Sequence, residues 1–224
     1  MKKISAVILN WRRPDNVRLI LDEWRASGII DEAIVWNNNP SSPFCHEWGT
    51  VINTNCDMGL YTRFAAVALA RHGVVWIQDD DVLVPADTIR MVLEAWRQEP
   101  AVLHGLFGRA PRADGTYALE LLEDCEAPMI LTRALMTARS NAATFFAAIG
   151  EFEELQMSSD PRGNGEDIVF SYAVLRQSRR LHRVHRLPCH ELPAPDAIHR
   201  RDWPTHVSHR TNLMRACESW VQTH

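Results

Sequence analysis

The chain has 224 residues, enough for one sizeable hydrophobic core. Hydrophobic residues make up 46% and charged residues 23%, an ordinary globular balance. The net charge of −4 excludes a whole-chain basic field that would draw in nucleic acid or acidic membranes by charge alone.

Five cysteines (Cys45, Cys56, Cys125, Cys189, Cys217) are scattered, odd in number and without a CxxC pair. That pattern points to reduced thiols and a cytoplasmic setting. The N-terminus starts like a signal peptide, but its apolar run ends at Asn10 and no small-residue cleavage site follows, so it reads as a first strand. No apolar run is long enough to span a membrane.

Ile4 to Leu9 is a nearly continuous apolar run, as expected of a central parallel strand. It breaks at Asn10-Trp-Arg-Arg-Pro-Asp15, where Pro14 suits a first helical turn. Val17, Leu19, Ile20, Leu21 and Trp24 recur at helical spacing up to the stop signal at Gly28. Ala33 to Trp36 reads as a second strand, Val51-Ile52 as a short third and Leu60 to Arg71 as a helix. Val74 to Ile77, β-branched and aromatic, reads as a buried fourth strand. Helices between apolar strands imply right-handed crossovers and a parallel sheet.

Further along, Asp87 to Arg97 reads as a helix capped by Asp87, and Ala101 to Phe107 as a strand. Ala113-Asp-Gly115 marks a hairpin turn into Thr116 to Leu122. Met129 to Thr132 is expected to be a short strand and Arg133 to Ala148 a helix. A polar stretch at Met157 to Gly165 precedes a helix over Glu166 to Gln177. A strand over Leu181 to Leu187, a proline-rich loop to Pro204 and a terminal helix over Val207 to Gln222 complete the chain. The expected class is α/β: one domain over residues 1–224, with a mixed, mostly parallel central sheet flanked by helices. Residues 1–85 read as a nucleotide-binding type of half-domain.

The fourth strand ends in Asp79, Asp80 and Asp81. Three adjacent carboxylates repel one another and need a counter-charge if buried. Hard oxygen ligands favour Mg²⁺ or Mn²⁺, and the carboxyl ends of strands are where open α/β sheets bind ligands. The competing reading is a solvated acidic turn before a helix. Neither GxGxxG nor GxxxxGK[ST] occurs, so any phosphate must be held by metal and arginine.

Taken together, Asn10-Trp-Arg-Arg-Pro-Asp15, Trp36-Asn37-Asn38, Arg63, Asp79-Asp80-Asp81 and Glu166-Asp167-Ile168 resemble the exostosin-like glycosyltransferases of family 64, which have a GT-A fold. The resemblance implies a retaining transfer from a UDP-sugar with Mn²⁺ or Mg²⁺. It implies that Arg13 contacts the diphosphate, Asn37 the uridine, and Arg63 the nucleotide or its sugar. Asp79 and Asp80 would touch the ribose and donor sugar, and Asp81 would ligate the metal. Asp167 would sit beside the anomeric carbon, and Arg210 would offset charge on the leaving diphosphate. Glu166 stands where the family usually has Asp, and the chain is shorter around residues 109 to 128, the region expected to shape the acceptor site.

Such a set can neutralise a leaving diphosphate, orient a donor and place a carboxylate by a positive anomeric carbon. Same-face attack, with the leaving phosphate oxygen taking the acceptor's proton, asks less of the protein than a covalent sugar on Asp167. Trp36, Trp76 and Trp96 read as core residues, whereas Trp11 is placed to stack on a base. His182, His185, Cys189 and His190 are compact but lack the paired spacing of a zinc site. His206 or His209 is a candidate for completing the metal's shell. The arginine-rich stretch Arg176 to Arg186 is either a solvated face or a track for an anionic acceptor: an acidic glycan, a phosphorylated lipid or DNA with a modified base. Two other functions compete. A nucleotidyltransferase would share the acidic site but usually needs the missing glycine-rich loop, and a non-catalytic nucleotide-sugar binding protein would not need Asp167.

Overall fold

The structure is a computed structural model that describes residues 3–117, 119–152, 163–195, 197 and 203–223. Its first half follows the apolar runs. Strands β1 (Ile4–Asn10), β2 (Glu32–Asn37), β3 (Thr50–Asn53) and β4 (Val74–Gln78) pair in parallel, with β1 between β2 and β4. Helices α1 (Pro14–Ser27) and α2 (Thr62–Leu69) supply the crossovers. Every residue of β1 and β4 is buried, which is why their sequences are apolar without alternation.

After β4 come the two-residue strand β5 (Val82–Leu83), helix α3 (Ala86–Gln98), β6 (His104–Gly105) and β7 (Gly108–Ala110). Then follow β8 (Leu119–Leu121), β9 (Cys125–Ala127), β10 (Met129–Ile130) and β11 (Ala134–Ala138). Helix α4 (Asn141–Ile149), helix α5 (Glu166–Ser178), β12 (His182–Val184), β13 (His190–Glu191) and helix α6 (Trp203–Gln222) complete the order. The main sheet has eight strands in the order β3-β2-β1-β4-β11-β6-β12-β9. Strand β11 enters antiparallel between β4 and β6, so the sheet is mixed and mostly parallel in its first half, as expected.

Several sequence expectations need correction. Ala134 to Ala138 is the central strand β11, and the helix expected over Arg133 to Ala148 begins only at Asn141. Alanine, leucine and methionine favour helix locally, but here they fill a slot between two strands, and burial decides. Asp87 lies in the first turn of α3 rather than capping it; Pro85 occupies the cap position. Within the expected strand from Ala101 to Phe107, only His104–Gly105 joins the sheet. The polar stretch at Met157 to Gly165 falls largely outside the described residues.

Two apolar layers cover the sheet. One packs α1 and α3 against Ile4, Ala6, Ile8, Trp76 and Met136. The other packs α2, α4, α5 and α6 against Val7, Ile34, Val75, Ile77 and Leu135. At the centre of the second layer, the Phe64 ring stacks 3.9 Å from Phe145 and lies 4.6 Å from Phe170. These rings join α2, α4 and α5. All five cysteines are free thiols. Among the described residues, no helix is long and apolar enough to cross a membrane.

Candidate active site

The acidic turn leaves β4 at the carboxyl edge of the sheet. Its backbone is fixed from three directions. Asp79 N–H donates to the Arg133 carbonyl at 3.0 Å. The Asp80 carbonyl accepts from Asn16 Nδ2 at 2.8 Å. The Asp81 carbonyl accepts from the Leu192 N–H at 2.9 Å, beside the antiparallel pairing of β13 with β5.

Each carboxylate faces a guanidinium. Asp79 pairs with Arg63 at 2.7 Å, Asp80 with Arg13 at 2.6 Å, and Asp81 with Arg133 at 3.1 Å and Arg13 at 3.7 Å. Burial pushes Asp80 up to about 7; Arg13 opposes this, while Asp79 and Asp81 reinforce it. Burial likewise raises Asp81, and the charge of Asp79 adds to the effect. The donors are all oxygens, which suits a hard divalent cation. Among the described residues, no three His, Cys, Asp or Glu side chains are grouped so as to hold an ion by themselves.

The second part of the site is the start of α5. Gly163 (φ 82°) and Gly165 (φ 99°) bend the chain through the left-handed region just before the helix. That turn presents Glu166 and Asp167, both buried, in the first helical turn. Arg210 of α6 places Nη2 2.6 Å from each oxygen of Asp167, and its Nη1 donates to Asn164 Oδ1 at 3.1 Å. The same guanidinium lies 4.5 Å from the centre of the Tyr117 ring. Burial works against the charge on Arg210, but Asp167 and Tyr117 outweigh it and hold its pKa well above the ordinary arginine value.

One buried side chain joins the two parts. Arg63, 4% exposed, donates through Nη1 to Asp79 and lies with Nε 3.2 Å from Glu166 Oε1. The same Glu166 oxygen accepts from Thr132 Oγ1 at 3.1 Å. Burial lifts Glu166 to about 7, against the pull of Arg63. Burial opposes the Arg63 charge too, but Asp79 and Glu166 hold it above the usual range.

The structure thus brings Arg13, Arg63, Asp79, Asp80 and Asp81 together, and sets Asp167 with Arg210 beside them. It does not bring Asn37 into that cluster. Asn37 is completely buried, donating to Ser42 O at 2.9 Å and Asn53 Oδ1 at 2.8 Å while accepting from Asn10 Nδ2 at 2.9 Å. Its amide is used within the protein, tying β2 to β1 and to the loop beyond. His206 and His209 both turn to Asn164, through Nδ1 at 3.2 Å and Nε2 at 2.8 Å.

Two of the histidines in the compact His182–His190 group bond within the protein. His182 accepts the Leu103 N–H at 3.2 Å and meets Ser171 O at 2.9 Å, while His185 meets His104 at 3.0 Å. In the arginine-rich stretch, Arg180 and Arg183 pair with Glu99 at 2.6 and 2.7 Å, and Arg176 lies 4.0 Å from the centre of the Trp220 ring. Those three arginines thus have partners within the protein.

Sequence reasoning missed Arg133, Asn164 and the bridging role of Glu166. Glu166 had a signal: a second carboxylate beside Asp167 at a helix start. Arg133 had a fainter one, a lone charge between two short apolar runs.

The sequence profile of the glycosyl transferase family 64 domain matches residues 4–223. A search of the curated proteins found no match. Among solved structures, the chain is similar to GalNAc-T7, crystallised with UDP, GalNAc and Mn²⁺, with a TM-score of 0.60. Identity is 9%, and the match covers 88% of this chain and 45% of that one, so the chain spans less than half the length of this neighbour. At that identity the likeness is one of fold, which is GT-A.

Proposed function

This chain belongs to glycosyl transferase family 64 and is a glycosyltransferase; we propose that it moves a hexose or N-acetylhexosamine from a UDP-sugar to an acceptor hydroxyl. The transfer retains anomeric configuration and uses Mn²⁺ or Mg²⁺ at Asp81. Residues 1–85 bind the nucleotide and 86–224 bind the acceptor. The UDP and Mn²⁺ in the GalNAc-T7 structure support this reading.

The observation that carries it is the chain of contacts Asp79–Arg63–Glu166 next to the Asp167–Arg210 pair. It sets an acidic, arginine-rich turn at a fixed distance from a buried carboxylate. A leaving diphosphate needs the first, and a carbon that becomes positive in the transition state needs the second.

Arg13, between Asp80 and Asp81, is placed to bond a diphosphate oxygen. Asp79 and Asp80 orient the ribose and the donor sugar, and Arg63 holds Asp79 for that purpose. A bound cation would act as a Lewis acid on the diphosphate. Asp167 stabilises positive charge at the anomeric carbon and positions the acceptor hydroxyl, whose proton passes to the leaving phosphate oxygen. Arg210 keeps Asp167 in place and offsets charge on the departing diphosphate. Asn37 acts indirectly, by shaping the loop after β2.

The test is a donor-hydrolysis screen of UDP- and GDP-sugars with Mn²⁺, followed by NMR of the anomeric proton. The expected result is slow hydrolysis of one UDP-sugar with retention, lost in Asp81→Ala and Asp167→Asn. Pyrophosphate release from a nucleoside triphosphate, with no sugar-nucleotide turned over, would instead identify a nucleotidyltransferase.

A further inference from the structure

Arg133 is not among the residues that sugar transfer calls for, yet its side chain is committed to one of them. Its Nε lies 3.1 Å from Asp81 Oδ1, and its Nη2 pairs with Glu191. The guanidinium sits 4.6 Å from the centre of the Phe107 ring. Its own carbonyl accepts the Asp79 N–H. Glu191 belongs to β13, which is stitched to β5 immediately beyond the acidic turn. The Asp81 side chain is 17% exposed and that of Glu191 is 69% exposed. One guanidinium thus spans two carboxylates, one inside the site and one at its rim.

We propose that Arg133 is the resident counter-ion of Asp81, occupying the oxygen a divalent cation would use and turning to Glu191 when the cation enters. The proposal rests on the donor-site reading above. A divalent ion and a guanidinium repel each other and compete for the same lone pairs. The Phe107 face and Glu191 give the displaced guanidinium a place to stay. As a result, Mn²⁺ alone has to compete with Arg133 and binds weakly. The cation binds well only together with a nucleoside diphosphate, whose negative charge tips the balance.

The experiment is a Mn²⁺ titration followed by electron paramagnetic resonance of the free ion, with and without UDP. The proteins are wild type, Arg133→Ala, Arg133→Lys, Glu191→Gln and the Arg133→Ala/Glu191→Gln double variant, each checked for folding by circular dichroism. Arg133→Ala is expected to bind Mn²⁺ alone about fivefold more tightly than wild type. Arg133→Lys, which keeps the charge, is expected to stay within about twofold of wild type. Glu191→Gln is expected to weaken Mn²⁺ binding by about twofold, because Arg133 then has only Asp81. In the double variant the Glu191 change is expected to have no further effect, since it acts through Arg133.

Unchanged or weaker Mn²⁺ binding by Arg133→Ala overturns the inference. So does a Glu191 effect of equal size in both backgrounds, which is what a simple surface field would give. If wild type takes up Mn²⁺ with UDP and the variants give either result, only the role of Arg133 falls. If wild type takes up no Mn²⁺ even with UDP, the donor-site reading falls, and the role of Arg133 with it.

Discussion

Arg210 reaches both oxygens of Asp167 with one nitrogen, Nη2, at 2.6 Å each. Neither residue has much access to water: Asp167 is 6% and Arg210 5% exposed. Removing one partner strands the other. Arg210→Ala is expected to lower stability by about 3 kcal/mol, as for other broken buried pairs. An Arg210→Met/Asp167→Asn double variant is expected to recover most of that loss while remaining inactive. Urea denaturation monitored by tryptophan fluorescence, beside a donor-hydrolysis assay, reads both quantities. Equal destabilisation of the single and double variants would contradict the pairing argument.

Arg63 serves two carboxylates at once, Asp79 at 2.7 Å and Glu166 at 3.2 Å. A lysine has a single ammonium and cannot reproduce that fork. Arg63→Lys is expected to raise the donor KM by about tenfold, through Asp79, and to lower stability by about 2 kcal/mol. Steady-state kinetics over a range of donor concentrations tests the first point. A donor KM within twofold of wild type would separate Arg63 from donor binding.

Asn37 provides a contrast. With its amide bonded to Asn10, Ser42 and Asn53, Asn37→Ala is expected to cost about 2 kcal/mol or more of stability. At a temperature where the variant remains folded, its affinity for UDP is expected to change less than threefold, a loss of under about 1 kcal/mol. Calorimetric titration with UDP·Mn²⁺ distinguishes this from a direct base contact, which would lose far more.

His104 and His182 make stability depend on pH. Burial pushes each imidazole from 6.5 down to about 4. The Leu103 N–H bonded to His182 Nδ1 places the His182 proton on Nε2, facing Ser171 O. With folded values below the unfolded one, the unfolded chain binds more protons between those limits. The stability from these groups is therefore complete above about pH 6.5 and is lost as pH falls toward about 4, at up to about 1.4 kcal/mol per pH unit for each. Between pH 7 and pH 5 the urea midpoint of wild type is expected to fall relative to that of His104→Phe; the two proteins are compared because Asp80 and Glu166, raised by burial to about 7, gain stability over the same range in both. A constant difference between the two proteins would show that His104 is not held neutral.

The parallel half of the fold was legible because buried parallel strands write themselves as unbroken apolar runs, as in Ile4 to Leu9 and Val74 to Ile77. Strand β11 was hidden because Ala134-Leu-Met-Thr-Ala138 is good helix sequence, and only its neighbours β4 and β6 make it a strand. The same division holds within the site. Asp79 to Asp81 announce themselves as a cluster of like charges. Arg133 and Glu166 do not, because each takes its meaning from a partner remote in sequence: Asp81 for Arg133, and Arg63 for Glu166. Asn37 poses a different case: the sequence shows a polar residue at a strand end, and only the structure shows that its amide is bonded to Asn10, Ser42 and Asn53.

The Phe64–Phe145–Phe170 stack lies behind all of this chemistry. Phe64 adjoins Arg63 in α2, and Phe170 is three residues past Asp167 in α5. Contact between these two rings therefore ties the helix that carries Arg63 to the helix that carries Asp167. Oil-like packing, with no charge of its own, underlies the electrostatics. A shaved ring at Phe145, fully buried beside Phe64, is expected to loosen that packing while leaving every polar residue in its sequence intact.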